Sequence, residues 1–456
     1  MIFRQYYLAC LSHASYLIGD EHSGRAVVVD PQRDISGYLT DAQEFGLAIE
    51  RVIETHFHAD FLSGHLELAH ATGAKISYGE AANPEFVVEP LADGQILSLG
   101  EVTLQILATP GHTPESISIV IREHPNDVVP YGVLTGDTLF IGDVGRPDLL
   151  TSVGVSADEL ASQLYDSLHE KLLKLPDATR VYPAHGAGSS CGKKLSNETE
   201  STIGVQRATN YALAPMTKGE FIEVVTQGQS VAPLYFSFSA MRNKVDRPLL
   251  DESEWPALLS LDEVLQAMAR GAKVLDTRDS VEYQVGHLEG SLNVPLTGRY
   301  AEYAGEVIRS DSDIVLVSAM GSEYDARVRL ARIGFDRVIG ALREPLSVFH
   351  DNPQLVVRSS RLTVHEFHER RESIPNLQVV DVRMPSETEL GVVPGAKLLP
   401  LAQLITHFDV LHKDQPIVVY CQSGVRSSIA ASALQSEGFN DVSDVIGGYS
   451  AIQSLP

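Results

Sequence analysis

Short runs of β-branched and apolar residues, each stopped by a polar or breaker residue, dominate the first half of the chain. Ala26-Val27-Val28-Val29 ends in Asp30-Pro31, Arg51-Val52-Ile53 runs into Glu54, and positions 102–107 run into Thr109-Pro110-Gly111. Runs of this length and composition predict strands. Positions 35–45 and 61–72 carry longer mixed patterns that predict helices, the second closed by Gly73. Strands are predicted again at 131–134 and 180–183. Alternation of strand and helix implies a layered α/β domain. Four of the strand ends carry a His or Asp beside Gly or Pro: Thr55-His56-Phe57-His58-Ala59-Asp60-Phe61, Gly111-His112-Thr113, Gly136-Asp137-Thr138 and Ala184-His185-Gly186. Loops of this kind are where a rigid scaffold places functional groups.

The pattern changes in the second half. Val274-Leu275-Asp276-Thr277-Arg278 leads to Gly286 and then Val294-Pro295-Leu296; Val379-Val380-Asp381-Val382-Arg383 leads to Gly391 and then Leu399-Pro400-Leu401. The two stretches match without a gap, and their period is far longer than a solenoid repeat, so they are a duplicated domain. Each copy continues with an apolar strand, a loop and a helix, at 314–317 with 325–333 and at 417–420 with 427–437. Prolines and polar runs separate the halves. The expected organisation is a first domain over 1–240, a linker over 241–257, and two copies over 258–357 and 358–456.

Composition narrows the class. The chain has 456 residues, 44% hydrophobic and 21% charged, which suits soluble globular domains. A formal net charge of -25 argues against nucleic acid or anionic membrane as the main partner. Three cysteines, Cys10, Cys191 and Cys421, are a poor disulfide framework and fit a reducing compartment. With no signal-peptide pattern and no long apolar span, a cytoplasmic protein is expected.

His56, His58, Asp60, His112, Asp137 and His185 are metal-ligand types at successive strand ends. In this order they resemble the metallo-β-lactamase fold superfamily over roughly 1–240, which implies an αββα sandwich with the metal at one sheet edge. Two-metal hydrolases of that superfamily have a His directly after the Asp of the run; here Phe61 stands there and does not coordinate. One metal is therefore expected, held by His56, His112 and Asp137, with His58, Asp60 and His185 supporting it. Two His and one carboxylate form the facial triad of non-haem Fe(II) oxygenases. Residues 140–148, 184–193 and 201–204 resemble bacterial persulfide dioxygenases more closely. That resemblance implies one Fe(II) per chain, a thiol persulfide and O2 as substrates, sulfite as product, and a homodimer as one possible assembly. Zinc is the alternative metal on ligand type alone. Arg146 is expected either to anchor a substrate carboxylate or to pair with Asp148 or Asp143, and Cys191 either to relay sulfur or to be a reduced buried thiol.

Cys421-Gln422-Ser423-Gly424-Val425-Arg426 follows a strand and opens a helix, where backbone N–H groups and Arg426 favour a thiolate. The loop and the duplicated unit resemble rhodanese sulfurtransferases. The resemblance implies that Cys421 carries a persulfide, that Arg426 activates it, and that Ser423 and Gly424 bind the substrate, with sulfite or thiosulfate as exchange partner. In the first copy Ser318 stands where Cys421 aligns and no Arg matches Arg426, so that copy is expected to be inactive. Two other readings compete: a mononuclear zinc thioester hydrolase of the glyoxalase II type with an independent transferase, and a non-enzymatic sulfur carrier or sensor.

Overall fold

Strands of the first half have apolar side chains on both faces, and the two sets go to different cores. Tyr16, Ile18, Val27, Val29 and Ile53 meet Leu104, Ile106, Ile119, Ile121 and Leu134 in one buried cluster. Leu17, Ala26, Val28 and Val52, one register step away, pack on Tyr38, Ala42 and Leu68. Val120, Val133 and Val181 pack on Ala161, Leu164, Leu168 and Phe221. Because side chains alternate across a strand, this pattern demands two sheets face to face with helices on each outer surface. The structure, a computed structural model that describes residues 1–151 and 154–454, has that form.

One six-stranded sheet takes its strands in chain order: Ile2–Leu8, His13–Asp20, Arg25–Val29, Ala48–Ile53, Lys75–Gly79 and Glu89–Leu91. The first three are antiparallel and the rest parallel. The second sheet runs Ser201–Thr202, Arg180–Pro183, Gly132–Gly136, Ile117–Arg122, Thr103–Ala108 and Ile96–Ser98. The helix expected at 61–72 starts only at His65. The four residues before it stay in a loop because Asn243 Nδ2 donates to the carbonyls of His58 and Phe61, both at 2.8 Å, and Ser63 N donates to Asn243 Oδ1 at 2.9 Å.

The expected linker at 241–257 is therefore corrected in part. Residues 236–252 belong to the compact unit formed by 1–229. Arg247 is buried and its Nη1 donates to Glu67 Oε1 at 2.6 Å, while Arg33 Nε donates to the same carboxylate oxygen at 3.0 Å. Guanidinium groups so placed hold the segment against the helix His65–Thr72. Burial alone would raise the Glu67 carboxyl; the two arginines hold it below the usual range.

The second compact unit contains residues 230–235 and those from 253 onward. Each copy of the repeat is a five-stranded parallel sheet of the same order. In the first copy the order is Leu258–Leu259, Val338–Leu342, Ile314–Val317, Lys273–Asp276, Leu292–Asn293. In the second it is Ser360–Leu362, Val442–Val445, Ile417–Tyr420, Gln378–Asp381, Lys397–Leu398. The repeated Asp-x-Arg is a buried pair at the strand end. Arg278 Nη2 bonds the Asp276 carboxylate and also the carbonyl of Gly286, at 3.0 Å; Arg383 Nη2 bonds Asp381 at 2.7 Å and the carbonyl of Gly391 at 2.7 Å. The two copies touch, with Asn293 N donating to Ser432 Oγ at 2.9 Å. Among the described residues, no helix is long and apolar enough to cross a membrane.

Arg247→Met is expected to destabilise the first unit by about 3–5 kcal/mol, since it strips one partner from a buried charge, read from urea unfolding of the full chain. The Glu67 carboxyl is depressed, so its contribution is complete above the ordinary carboxylate range and is lost as the pH falls below it. The gap between the two proteins should therefore narrow in acid.

Candidate metal centre and thiol loop

The six ligand-type residues predicted at strand ends are buried at one edge of the sandwich in two groups of three. His56 follows the strand Ala48–Ile53, Asp137 the strand Gly132–Gly136, and His185 the strand Arg180–Pro183. His56, His112 and Asp137 are buried, with ligand atoms all within 4.8 Å of one another. His58, Asp60 and His185 form a second such group, and Asp137, His185 and Cys191 a third. A Cβ at Gly145 would overlap the Asp137 carbonyl, so the loop after Asp137 closes over it only with glycine there.

Hydrogen bonds on the far side of each ring decide which nitrogen faces the centre. His112 Nδ1 lies 2.9 Å from the carbonyl of Arg146, and His185 Nδ1 lies 3.3 Å from that of Ser12. A carbonyl only accepts, so both rings carry the proton on Nδ1 and present a bare Nε2. Thr55 Oγ1 donates to Asp30 Oδ2 at 2.8 Å and accepts from His56 Nδ1 at 3.0 Å, which fixes His56 in the same tautomer. The three Nε2 atoms lie 3.8, 3.5 and 3.5 Å from the Asp137 carboxylate for His56, His112 and His185. Acceptors thus face acceptors. Asp137 Oδ1 and Oδ2 and His185 Nε2 have no hydrogen-bond partner among the described residues. Burial pushes the Asp137 carboxyl up to about 7 and His112 down to about 3. Lone pairs converging in a dry site fit a cation.

His58 faces differently. Its Nε2 lies 3.1 Å from Asp30 Oδ1 and 3.5 Å from Glu54 Oε2, two fully buried carboxylates. Burial pushes Glu54 up, and Asp30 beside it pushes it further. Glu54 also lies 3.5 Å from His65 Nδ1 and accepts a short bond from Ser63 Oγ. Sequence reasoning missed Glu54 and His65, which sit in a strand-to-loop stretch and at a helix start with no motif around them. Phe61 is buried, its ring 3.9 Å from that of His13 and 4.4 Å from that of His58. An apolar ring fills the space that a further ligand would need.

Arg146 is buried and bidentate to Asp148, with Nε and Nη2 both at 2.7 Å, and Nη1 donates to the carbonyl of Ser190 at 3.1 Å. Of the two readings weighed for it, the structure shows the Asp148 pairing. Cys191 is buried and its thiol is held in protonated form by burial and by Asp60 and Asp137. Its position beside Asp137 and His185 is closer to the centre than a bland thiol requires.

In the second unit, Cys421 is buried at the end of the strand Ile417–Tyr420, and Gly424 N donates to its Sγ at 3.1 Å. Gly424 takes φ +94°, a left-handed conformation that turns the loop into the helix Val425–Ser436. Arg426 is gripped by Glu387, Nη1 and Nη2 at 2.7 and 2.6 Å. Sequence reasoning missed Glu387. Its signal was a Glu six residues after the strand-end Asp in both copies, Glu282 and Glu387, masked by the usual reading of such a residue as a helix cap. In the first copy Ser318 accepts from Thr277 Oγ1 at 2.8 Å, and Gly321 N donates to Glu323 Oε2 at 2.8 Å. The loop N–H that faces sulfur in one copy thus faces a carboxylate in the other.

Phe61→His is expected to raise the metal content per chain, by adding an imidazole beside His13 and His58; an unchanged content would contradict the blocking role of Phe61. Anaerobic loading with Fe(II) should weaken as the pH falls through about 7 and should release protons, because Asp137 must ionise to bind. Metal titrations at pH 6 and 8 check the sign.

Known proteins match both halves of the chain. A metallo-beta-lactamase superfamily model matches residues 8–185, and a rhodanese-like domain model matches 260–346 and 363–455. The persulfide dioxygenase ETHE1, mitochondrial, of Bos taurus is 30% identical over 50% of this chain and 82% of its own length. A hydroxyacylglutathione hydrolase of Maricaulis maris is 32% identical over 41% of this chain and 66% of its own. A solved metallo-beta-lactamase structure from Staphylococcus aureus is 33% identical, with a TM-score of 0.67 over 75% of this chain and 98% of that one. With its bare imidazole nitrogens converging on one carboxylate, and with relatives of this kind over most of their length, the chain belongs to the metallo-beta-lactamase superfamily, among relatives of persulfide dioxygenase ETHE1, and carries two rhodanese-like domains behind that fold.

Proposed function

We propose that the first unit oxidises a low-molecular-weight thiol persulfide with O2, glutathione persulfide first among them, and that Cys421 moves sulfane sulfur between persulfide, sulfite and thiosulfate. The observation that carries the reading is the set of bare nitrogens on His56 and His112 facing Asp137, with Phe61 filling the adjacent space. These three residues would hold one Fe(II), which would supply redox chemistry toward O2. The net reaction balances as persulfide, O2 and water giving thiol, sulfite and two protons.

The chain's own residues divide the work. His56, His112 and Asp137 would hold the cation. Thr55, and the carbonyl of Arg146, keep the two imidazoles in the binding tautomer, as second partners of metal-binding histidines commonly do. Phe61 and His13 pack ring against ring beside the centre. Asp60, His185 and Cys191 line the remaining side, where a sulfur anion and released protons must be handled. A zinc thioester hydrolase is the second reading, with a hydroxyacylglutathione hydrolase among the relatives, but Phe61 and the attached Cys421 loop favour the oxygenase. Three cysteines outside any disulfide support a reducing, cytoplasmic setting.

His112→Ala is expected to lower persulfide-dependent O2 consumption by at least about 100-fold, the upper end for disturbing a metal site, while thiosulfate sulfurtransfer persists. Cys421→Ser should abolish sulfurtransfer and leave O2 consumption in place. Loss of both activities in either variant would contradict two separable sites.

A further inference from the structure

A second set of ligand-type side chains lies one ring away from the first centre, where the His58 ring stands 4.1 Å from that of His56. Asp30 follows the strand Arg25–Val29 and Glu54 follows the strand Ala48–Ile53. Asp30, Glu54 and His58 are all buried, with ligand atoms within 4.8 Å of one another. None of them belongs to the group His56, His112 and Asp137. His58 Nε2 lies 3.1 Å from Asp30 Oδ1 and 3.5 Å from Glu54 Oε2. Among the described residues, neither His58 Nε2 nor Glu54 Oε2 makes a hydrogen bond. Atoms this close without hydrogen-bond geometry fit convergence on a common point beside the line between them. His58 Nδ1 has no partner either, so no protein group forces the ring proton onto Nε2.

Two carboxylates buried side by side are costly unless a cation offsets them. The guanidinium of Arg247 is spent on Glu67, with Nη1 and Nη2 at 2.6 and 3.0 Å from its carboxylate. A proton on His58 would offset one of the two charges; a divalent ion offsets both. Carboxylate oxygen and imidazole nitrogen are ordinary ligands of zinc, and zinc bonds of about 2.0–2.2 Å put the ligand atoms of a tetrahedron about 3.3–3.6 Å apart. The 3.1 and 3.5 Å separations are close to that spacing. A further donor is at hand in His65, whose Nδ1 lies 3.5 Å from Glu54 Oε1 and whose nitrogens make no hydrogen bond among the described residues. A set of four protein donors is closed, with no position left for a substrate, as in structural zinc sites.

We propose that Asp30, Glu54 and His58 bind a divalent cation of the zinc class, with His65 as the fourth donor, and that this ion is structural. Its role follows from what the carboxylates already hold. Asp30 Oδ1 accepts from Thr55 N at 2.7 Å and Oδ2 from Thr55 Oγ1 at 2.8 Å, and Thr55 Oγ1 meets His56 Nδ1 at 3.0 Å. Glu54 accepts from Ser63 Oγ, at the other end of the same loop. An ion bound to both carboxylates clamps the stretch 54–63 at its two ends and so steadies His56. The inference stands apart from persulfide chemistry, and it holds whatever reaction the first centre carries out.

The test uses the full chain, stripped with chelator, reloaded with about two equivalents of Zn(II), one for each four-coordinate site, and crystallised. An anomalous difference map at the zinc edge is expected to show a peak bonded to Asp30, Glu54 and His58, separate from any peak at His56, His112 and Asp137. Absence of that peak, whatever the other centre holds, overturns the proposal, and so does a peak placed instead between His58, Asp60 and His185. In solution, Glu54→Gln keeps the length of the side chain and an acceptor for Ser63. It is expected to retain about one zinc fewer per chain than the unaltered protein, because the carboxylate ligand is lost. An unchanged zinc content overturns the proposal as well. The map needs no substitution, so it decides the matter even where the variant fails to fold.

Discussion

Three imidazole lone pairs point at one buried carboxylate, Asp137, where acceptors face acceptors. Without a cation this arrangement is costly, because buried acceptors lose water and gain nothing in return. It is held in place from behind. Asp30 fixes Thr55, Thr55 fixes His56, and the carbonyls of Arg146 and Ser12 fix His112 and His185. Arg146 is in turn tied to Asp148, and Gly145 lets its loop lie against Asp137. The αββα layers exist to bring four strand ends to one edge; the hydrogen bonds behind them choose what those ends present.

The second unit solves a different problem with a different device. A thiol needs donors, not acceptors, and the loop at Cys421 supplies a backbone N–H from Gly424 at the start of a helix. Glu387 grips Arg426, so the cation expected to activate the thiol is held in a fixed place rather than roaming the loop. In the first copy the same N–H is occupied by Glu323, a residue of the opposite charge at the position that aligns with Arg426. Duplication preserved the sheet and the buried Asp-x-Arg pair, whose demands are structural, while the loop diverged.

Much of this was legible in the residues. Strand ends carrying His and Asp predicted the metal group, because a two-residue period and a breaker locate a strand's end without tertiary knowledge. The gapless repeat predicted two like domains, and both buried arginine pairs follow from it. What was not legible depends on residues far apart in the chain. Asn243 and Arg247 lie in a stretch whose composition reads as linker, and only the folded first unit shows that they bond the His58–Phe61 loop and Glu67. Glu54 and His65 become a cluster with His58 only once the loop closes. Cys191 reads as either a sulfur relay or a buried thiol until the chain folds it beside Asp137 and His185. Local pattern reports what a segment forms; it does not report which distant segment satisfies its polar groups.

The central claim is one Fe(II) at His56, His112 and Asp137 acting on a persulfide. Metal analysis of anaerobically purified protein, paired with O2 uptake on a panel of thiol persulfides, tests it most directly. The account predicts about one iron per chain, as a two-His, one-carboxylate site holds, and O2 uptake that follows iron content. Stoichiometric zinc with no O2 uptake on any persulfide of the panel would contradict it.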